Sequence, residues 1–170
     1  KAPRLLLVEL YLRTKDVKQA LSTAQSAAST LPDSPEVQDA LGRAQLAAGD
    51  TNQALATFAK VASLQPGSPL PQMRLAEVNM IAKNKPAAVQ SLKRALEIKP
   101  DHLDAQRGLI LMALDAKNYT EASALARTVQ KQRPKESVGY QFEGDIAAMQ
   151  KKFDPAAEAY RAGLKQGAFP

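Results

Sequence analysis

Apolar positions along the chain recur at helical spacing in short blocks and then reset. In residues 35–68, Leu41, Ala44 and Ala48 form one stripe, and Ala54, Leu55, Phe58, Val61 and Ala62 form a second. Steps of three and four put each stripe on one face of a helix, where strand residues would alternate. Polar punctuation brackets both stripes. Ser34 and Pro35 predict an N-cap and first helical residue, and Glu36 and Asp39 place acid where the helix dipole favours it. Gly49 and Asp50 predict the break between the helices, and Pro66 and Gly67 the stop. The same grammar predicts an opening at Ser68 and Pro69 and puts Pro86 near the start of a second helix. It also reads Asp154 and Pro155 as the N-terminal signal ahead of Ala156, Ala159, Tyr160 and Gly163.

The pattern has a period of 34 residues. Pro stands at 32, 66, 100 and 134, and Ala at 20, 54, 88, 122 and 156. Boundaries two residues after each Pro predict one array of five units over 1–170: 1–34, 35–68, 69–102, 103–136 and 137–170. Each unit reads as two helices, so the expected fold is an all-α array of αα-hairpins. Ala at the twentieth place lets the second helix approach its neighbours closely, and a hairpin this short must bury its apolar face against the next unit.

Composition agrees with helices. Hydrophobic residues make up 45% of the chain but aromatics only 5%, with Ala dominant, whereas β-branched and aromatic residues lead in strands. With no Cys and one His, a disulfide framework, a Cys nucleophile and a Cys/His zinc site are excluded. The longest apolar runs, such as Leu5 to Val8, are too short for a transmembrane segment. The chain starts at Lys1 without Met or a signal-like segment and reads as a fragment or processed product.

The period, a small residue at place 8 (Gly42, Ala76, Gly144), Ala at place 20, a bulky residue at place 24 (Phe58, Leu92, Tyr160) and Pro at place 32 together resemble the tetratricopeptide repeat (TPR). The resemblance covers the entire chain and implies an α-solenoid of five helix-turn-helix repeats wound as a right-handed superhelix. Departures are the missing Trp at place 4, Val8 and Ile110 at place 8, Glu143 at place 7 of the last unit and Ala168 where Pro is expected. A narrower resemblance rests on Gly42-Arg43-Ala44-Gln45-Leu46-Ala47-Ala48-Gly49-Asp50 to Ala54 and on Gly139-Tyr140-Gln141-Phe142-Glu143-Gly144-Asp145. These segments look like the repeat regions of the large TPR lipoproteins that accompany PEP-CTERM and exosortase systems in Gram-negative bacteria. That resemblance implies a periplasmic or envelope-associated chain linked to exopolysaccharide export or protein sorting, with a cytoplasmic location as the alternative. The lipid-bearing Cys of that family is absent here.

The resemblance further implies that the first helix of each unit lines a concave surface, on which places 2, 5, 9 and 12 face a bound segment. Places 5 and 9 are Leu5 and Glu9, Asp39 and Arg43, Met73 and Glu77, Arg107 and Leu111, and Gln141 and Asp145. Place 2 begins with Ala2, and the twelfth-place Leu12, Leu46 and Leu114 read equally as residues of the helix seam. The surface mixes adaptable Leu and Met with separated charges, which suits a partner helix or extended peptide. The Lys and Asn that some relatives use to clamp a C-terminal carboxylate are missing from these places.

A net charge of +6 makes an anionic partner thinkable. Lys93, Arg127 and Arg161 at place 25, with Lys83, Lys85, Lys117, Lys151 and Lys152 near the turns, read as a basic ridge or as a solvated face. No aromatic residues interleave for base stacking, which argues against specific nucleic-acid binding. His102, beside Pro100 and Asp101, reads as a capping or turn residue, and no nucleophile or third group accompanies it. The glycines form no phosphate-cradling loop, and Asp154 with Glu158 reads as helix-surface pairing. Asn118-Tyr119-Thr120 matches an N-glycosylation sequon but falls where a helix opens. The expectation is therefore a protein-binding scaffold with no catalytic residue, cofactor or metal. Its alternatives are a spacer that self-associates through its terminal repeats, where Tyr160 and Leu164 should lie open, and a binder of anionic surfaces.

Overall fold

A computed structural model describes residues 2–167, without the side chain of Ala2; Lys1 and residues 168–170, including the departure at Ala168, lie outside the described residues. Ten helices are present among them and no strand. In chain order they are α1 (Ala2–Arg13), α2 (Val17–Thr30), α3 (Pro35–Ala47), α4 (Thr51–Leu64), α5 (Leu70–Ile81), α6 (Lys85–Ile98), α7 (Leu103–Asp115), α8 (Tyr119–Gln132), α9 (Val138–Met149) and α10 (Phe153–Gln166). None is long and apolar enough to cross a membrane.

Two compact units contain them, Lys1–Ile98 with α1 to α6 and Lys99–Pro170 with α7 to α10. In the first, consecutive helices pack pairwise, and α1 also touches α3. Val8, Ala20, Ala24, Ala40 and Ala44 form one buried cluster, and Ala54, Phe58 and Val78 another. In the second unit α8 is sandwiched between α7 and α9, and α10 packs on α9. Ile110, Ala122, Ala126, Val129, Val138, Phe142 and Ile146 supply its core. The five periodic alanines at place 20 are all buried, four of them with no exposure at all, as their role at the seam requires. Leu12 and Leu46 pack against the cores as seam residues do, whereas Leu114 is buried and also lines a cavity of the second unit.

The turn within each hairpin follows one design. After α1, α3, α5, α7 and α9, one residue takes a left-handed φ: Lys15 (61°), Gly49 (83°), Lys83 (60°), Lys117 (56°) and Lys151 (59°). Its N–H bonds the carbonyl three residues back, and the following N–H reaches five residues back, as in Asn118 N to Ala113 O at 2.7 Å. This pair of bonds satisfies carbonyls that the helix end would otherwise leave orphaned. The same following residue then N-caps the next helix: the side chains of Asp16, Asn84 and Asn118 accept from Gln19, Ala87 and Glu121 N–H. One residue in the left-handed region followed by one cap reverses the chain.

Two sequence expectations shift. Helix α5 starts at Leu70 with Pro69 as its N-cap, one residue later than predicted. Helix α10 starts at Phe153 after Lys152, so Asp154 and Pro155 lie inside its first turn instead of opening it. Pro155 is tolerated there because first-turn N–H groups have no intrahelical acceptor. Sequence reading also missed a tie at place 4, where Gln38 and Gln106 are buried and donate to the carbonyls of Pro32 (2.7 Å) and Pro100 (3.3 Å). The period-34 run Gln38, Gln72, Gln106 was the available signal.

Candidate protein-binding surface

In the first unit Leu5, Glu9, Asp39 and Arg43 converge on a cavity of about 610 Å³. Helices α1 and α3 bring them together because places 5 and 9 lie one turn apart on the same helix face. The apolar lining comes from Leu6, Ala40, Val61 and Leu70, and Glu36 adds a further carboxylate. Leu6 is 70% exposed. Sequence spacing missed Leu6, Val61, Gln65 and Ser68, because places 5 and 9 sample only the first helices, and Val61, Gln65 and Ser68 come from α4 and the loop after it. Met73 and Glu77 line neither this cavity nor the one in the second unit.

Charged groups across this unit form an alternating ladder. Arg43 reaches Glu9 at 2.8 Å and Asp39 at 3.2 Å, Arg74 reaches Asp39 at 3.0 Å, and Arg74 approaches Glu77 at 3.8 Å. The Arg43 guanidinium, first through its hydrogen bond and then through its charge, holds the Glu9 carboxyl below its ordinary value. Burial works against the charge on Arg43, but Glu9 and Asp39 outweigh it and raise its pKa. The ladder fixes both ends of long side chains, so the surface is presented in one arrangement with less rotamer freedom left to lose on binding.

In the second unit Arg107, Leu111, Gln141 and Asp145 line a cavity of about 430 Å³ floored by Ile110, Leu114 and Phe142. Leu111 is 60% exposed on its wall. Arg107 lies over the Phe142 ring, 5.8 Å from its centroid, in a cation–π contact, and pairs with Asp104 at 3.5 Å. Asp145 accepts a 2.6 Å hydrogen bond from the Tyr160 hydroxyl, which pushes the phenol up to about 12. Each cavity thus combines apolar lining residues with charged and polar groups.

The other chemistry-bearing residues stay apart. His102 caps α7, its Nδ1 accepting from Ala105 N–H at 3.2 Å. Asn118 caps α8 and also donates to Glu121 at 2.9 Å. No group of three or more His, Asp or Glu suited to a metal occurs among the described residues. Lys93, Arg127 and Arg161 are exposed, as are Lys83, Lys85, Lys117, Lys151 and Lys152.

Helical hairpins stacked through small residues, with first-helix positions lining cavities, define a helical-repeat protein. Sequence profiles described as tetratricopeptide repeat match residues 40–102 and 80–146, which together span more than half of the chain. The chain belongs to the tetratricopeptide repeat family. No curated protein matches it in sequence. Among solved structures it resembles MamA from Desulfovibrio magneticus RS-1, with a TM-score of 0.72, 20% identity, and 97% of this chain and 93% of that one covered. A tetratricopeptide repeat protein from Parabacteroides merdae gives a TM-score of 0.71 at 17% identity, covering 99% of this chain and 66% of that one. YrrB, described as a TPR protein with an unusual peptide-binding site, gives 0.65 at 16% identity, with 96% and 84% covered. These likenesses are of fold.

Proposed function

We propose that the chain is a protein-interaction scaffold whose first-helix surfaces bind a peptide segment or helix of another protein. The observation that carries this reading is the convergence of eight groove residues, four in each unit, on cavities of about 610 and 430 Å³ with apolar floors and charged rims. The fold likeness to YrrB, a protein described as having a peptide-binding site, supports the same reading. Exposed Leu6 and Leu111 on the cavity walls are the natural contacts for an apolar anchor of the partner. The test is selection of binding peptides from a random library, with affinities read by fluorescence polarisation. A selected peptide should bind the Leu6→Asp/Leu111→Asp variant at least tenfold more weakly, while circular dichroism shows the fold kept. Unchanged affinity in that variant would place the contact elsewhere.

The setting we infer is the cell envelope, on the strength of the resemblance carried by Gly42 to Ala54 and Gly139 to Asp145. Fractionation of source cells should find the protein with periplasmic or membrane markers, and recovery only with cytoplasmic markers would reject that setting.

A further inference from the structure

The charges around the first-unit cavity do not balance. Glu9, Glu36 and Asp39 line it against a single cation, Arg43. Beyond the lining, the ladder adds Arg74, held by Asp39 at 3.0 Å, and Glu77, 3.8 Å from Arg74, so the excess of carboxylates is unchanged. Arg43 is the main cause of the lowered pKa of Glu9, which is therefore ionised at neutral pH, and Arg13, one turn further along α1, is a lesser cause that does not line the cavity. The chain as a whole carries +6, so this acidic patch runs against the sign of the molecule around it. The second-unit cavity has no such excess, since Arg107 and Asp145 line it one for one and Asp145 accepts from the Tyr160 hydroxyl.

The acid stands beside apolar surface. Asp39 is half-buried under Arg43 and Arg74, whereas Glu9 and Glu36 are exposed. Glu36 belongs to the first turn of α3, where the Ser34 hydroxyl donates to it at 2.8 Å. Leu5 of α1, Val61 of α4 and Leu70 of α5 supply apolar lining to the same cavity. The cavity is built around α3, which packs against α1, α2 and α4, all within the first unit. Lys and Arg suit such a place, because their long aliphatic stems lie along apolar surface while the charged head reaches a polar edge. An acidic segment would meet like charge there, which raises the cost of the wrong partner.

We propose that the first-unit cavity selects a partner segment in which a Lys or Arg neighbours an apolar residue, the cation meeting Glu9 and Glu36 and the apolar side chain meeting Leu5 and Leu70. This inference rests on the scaffold reading above and adds the chemistry of the partner to it. The selection is for basic, apolar segments over acidic ones, and it belongs to the first unit alone.

Selection of binders from a short random peptide library on the wild-type chain tests it, followed by fluorescence polarisation on the leading peptide, a copy with its cation changed to Gln and a copy with it changed to Glu. Binders should be enriched in Lys and Arg next to Leu, Ile or Phe. Wild-type affinity should fall about fivefold for the Gln copy, the reach of one exposed ion pair, and further for the Glu copy. Added salt should weaken the leading peptide more than the Gln copy. Glu36→Lys, which brings the lining to two carboxylates and two cations, should close the gap between the leading peptide and its Glu copy, and Glu36→Gln should narrow it, with circular dichroism confirming the fold of both variants. Binders without cation enrichment, or a gap that persists in both variants, overturn the charge selection and leave the scaffold reading standing. A library that yields no binder overturns both.

Discussion

At the scale of single residues, the packing between the helices of a hairpin is a matter of paired volumes. Place 8 on the first helix faces place 24 on the second, and the residues there alternate in size: Val8 with Ala24, Gly42 with Phe58, Ile110 with Ala126, Gly144 with Tyr160. Gly stands at place 8 where place 24 is aromatic. A Cβ on Gly42 would lie 2.6 Å from Cε1 of Phe58, a ring with no exposure. Overpacking of this kind costs about 1–3 kcal/mol, against about 1 kcal/mol that Ala gains over Gly in a helix interior. Gly42→Ala should therefore destabilise the wild type, yet stabilise a Phe58→Leu background by up to about 1 kcal/mol. Urea unfolding of the four proteins measures both differences, and equal effects in the two backgrounds would remove the steric account. The Val8 and Ile110 that look like departures from a small-residue rule are thus the other half of it, opposite alanines. The sequence holds both columns, but only packing reveals that they face each other.

At the scale of the helix, caps decide where each element starts. Asn118 accepts from the N–H of Glu121 at 3.2 Å, and Asp16 and Asn84 do the same three residues on. Lys152 holds the equivalent place before α10, and three residues on stands Pro155, which has no N–H to satisfy. A side-chain acceptor at 152 would find no donor at the usual position, so the chain loses little by having lysine there. Asn118→Ala should cost about 1 kcal/mol of stability, whereas Lys152→Ala should change it by less than about 0.5 kcal/mol. Thermal and urea unfolding of the two variants checks this, and comparable losses would mean that capping is not what distinguishes the two starts. Most element boundaries were legible in the sequence because Ser34, Pro35, Asn118 and the period-34 prolines are chemical signals. The start of α10 was not, because Asp154 and Pro155 resemble a cap pair and the true cap place is filled by a lysine. Nor was the left-handed turn residue, since Gly49 marks it once and lysines mark it four times. Lysine in that region is uncommon, and the pair of backbone bonds around it holds it there.

At the scale of the whole molecule, the legible part of the candidate surface was the part that follows from periodicity. Four predicted groove residues meet in each cavity, but Val61, Gln65 and Ser68 reach the first one from a second helix and its loop, where no first-helix spacing points. Met73 and Glu77 follow the same spacing without lining either cavity, and Glu77 instead ends the ion-pair ladder. What the period dictates most firmly is mutual dependence of the hairpins. Ala40 and Ala44 of α3 are buried in the same cluster as Ala20 and Ala24 of α2, and Arg43 is held by Glu9 of α1. Deleting residues 1–34 would bare those alanines and take Glu9 away from Arg43, leaving it the Asp39 of its own helix. If the hairpins were autonomous, urea unfolding of the truncated chain would keep its midpoint and lose only the share of the m-value that scales with the surface removed. Because neighbouring interfaces supply the stability that a lone hairpin lacks, the midpoint should fall together with the m-value. An unchanged midpoint in the truncated chain would show that the α2–α3 seam contributes nothing measurable. It would then fall to the contacts within each hairpin, such as Gly42 against Phe58, to hold the fold.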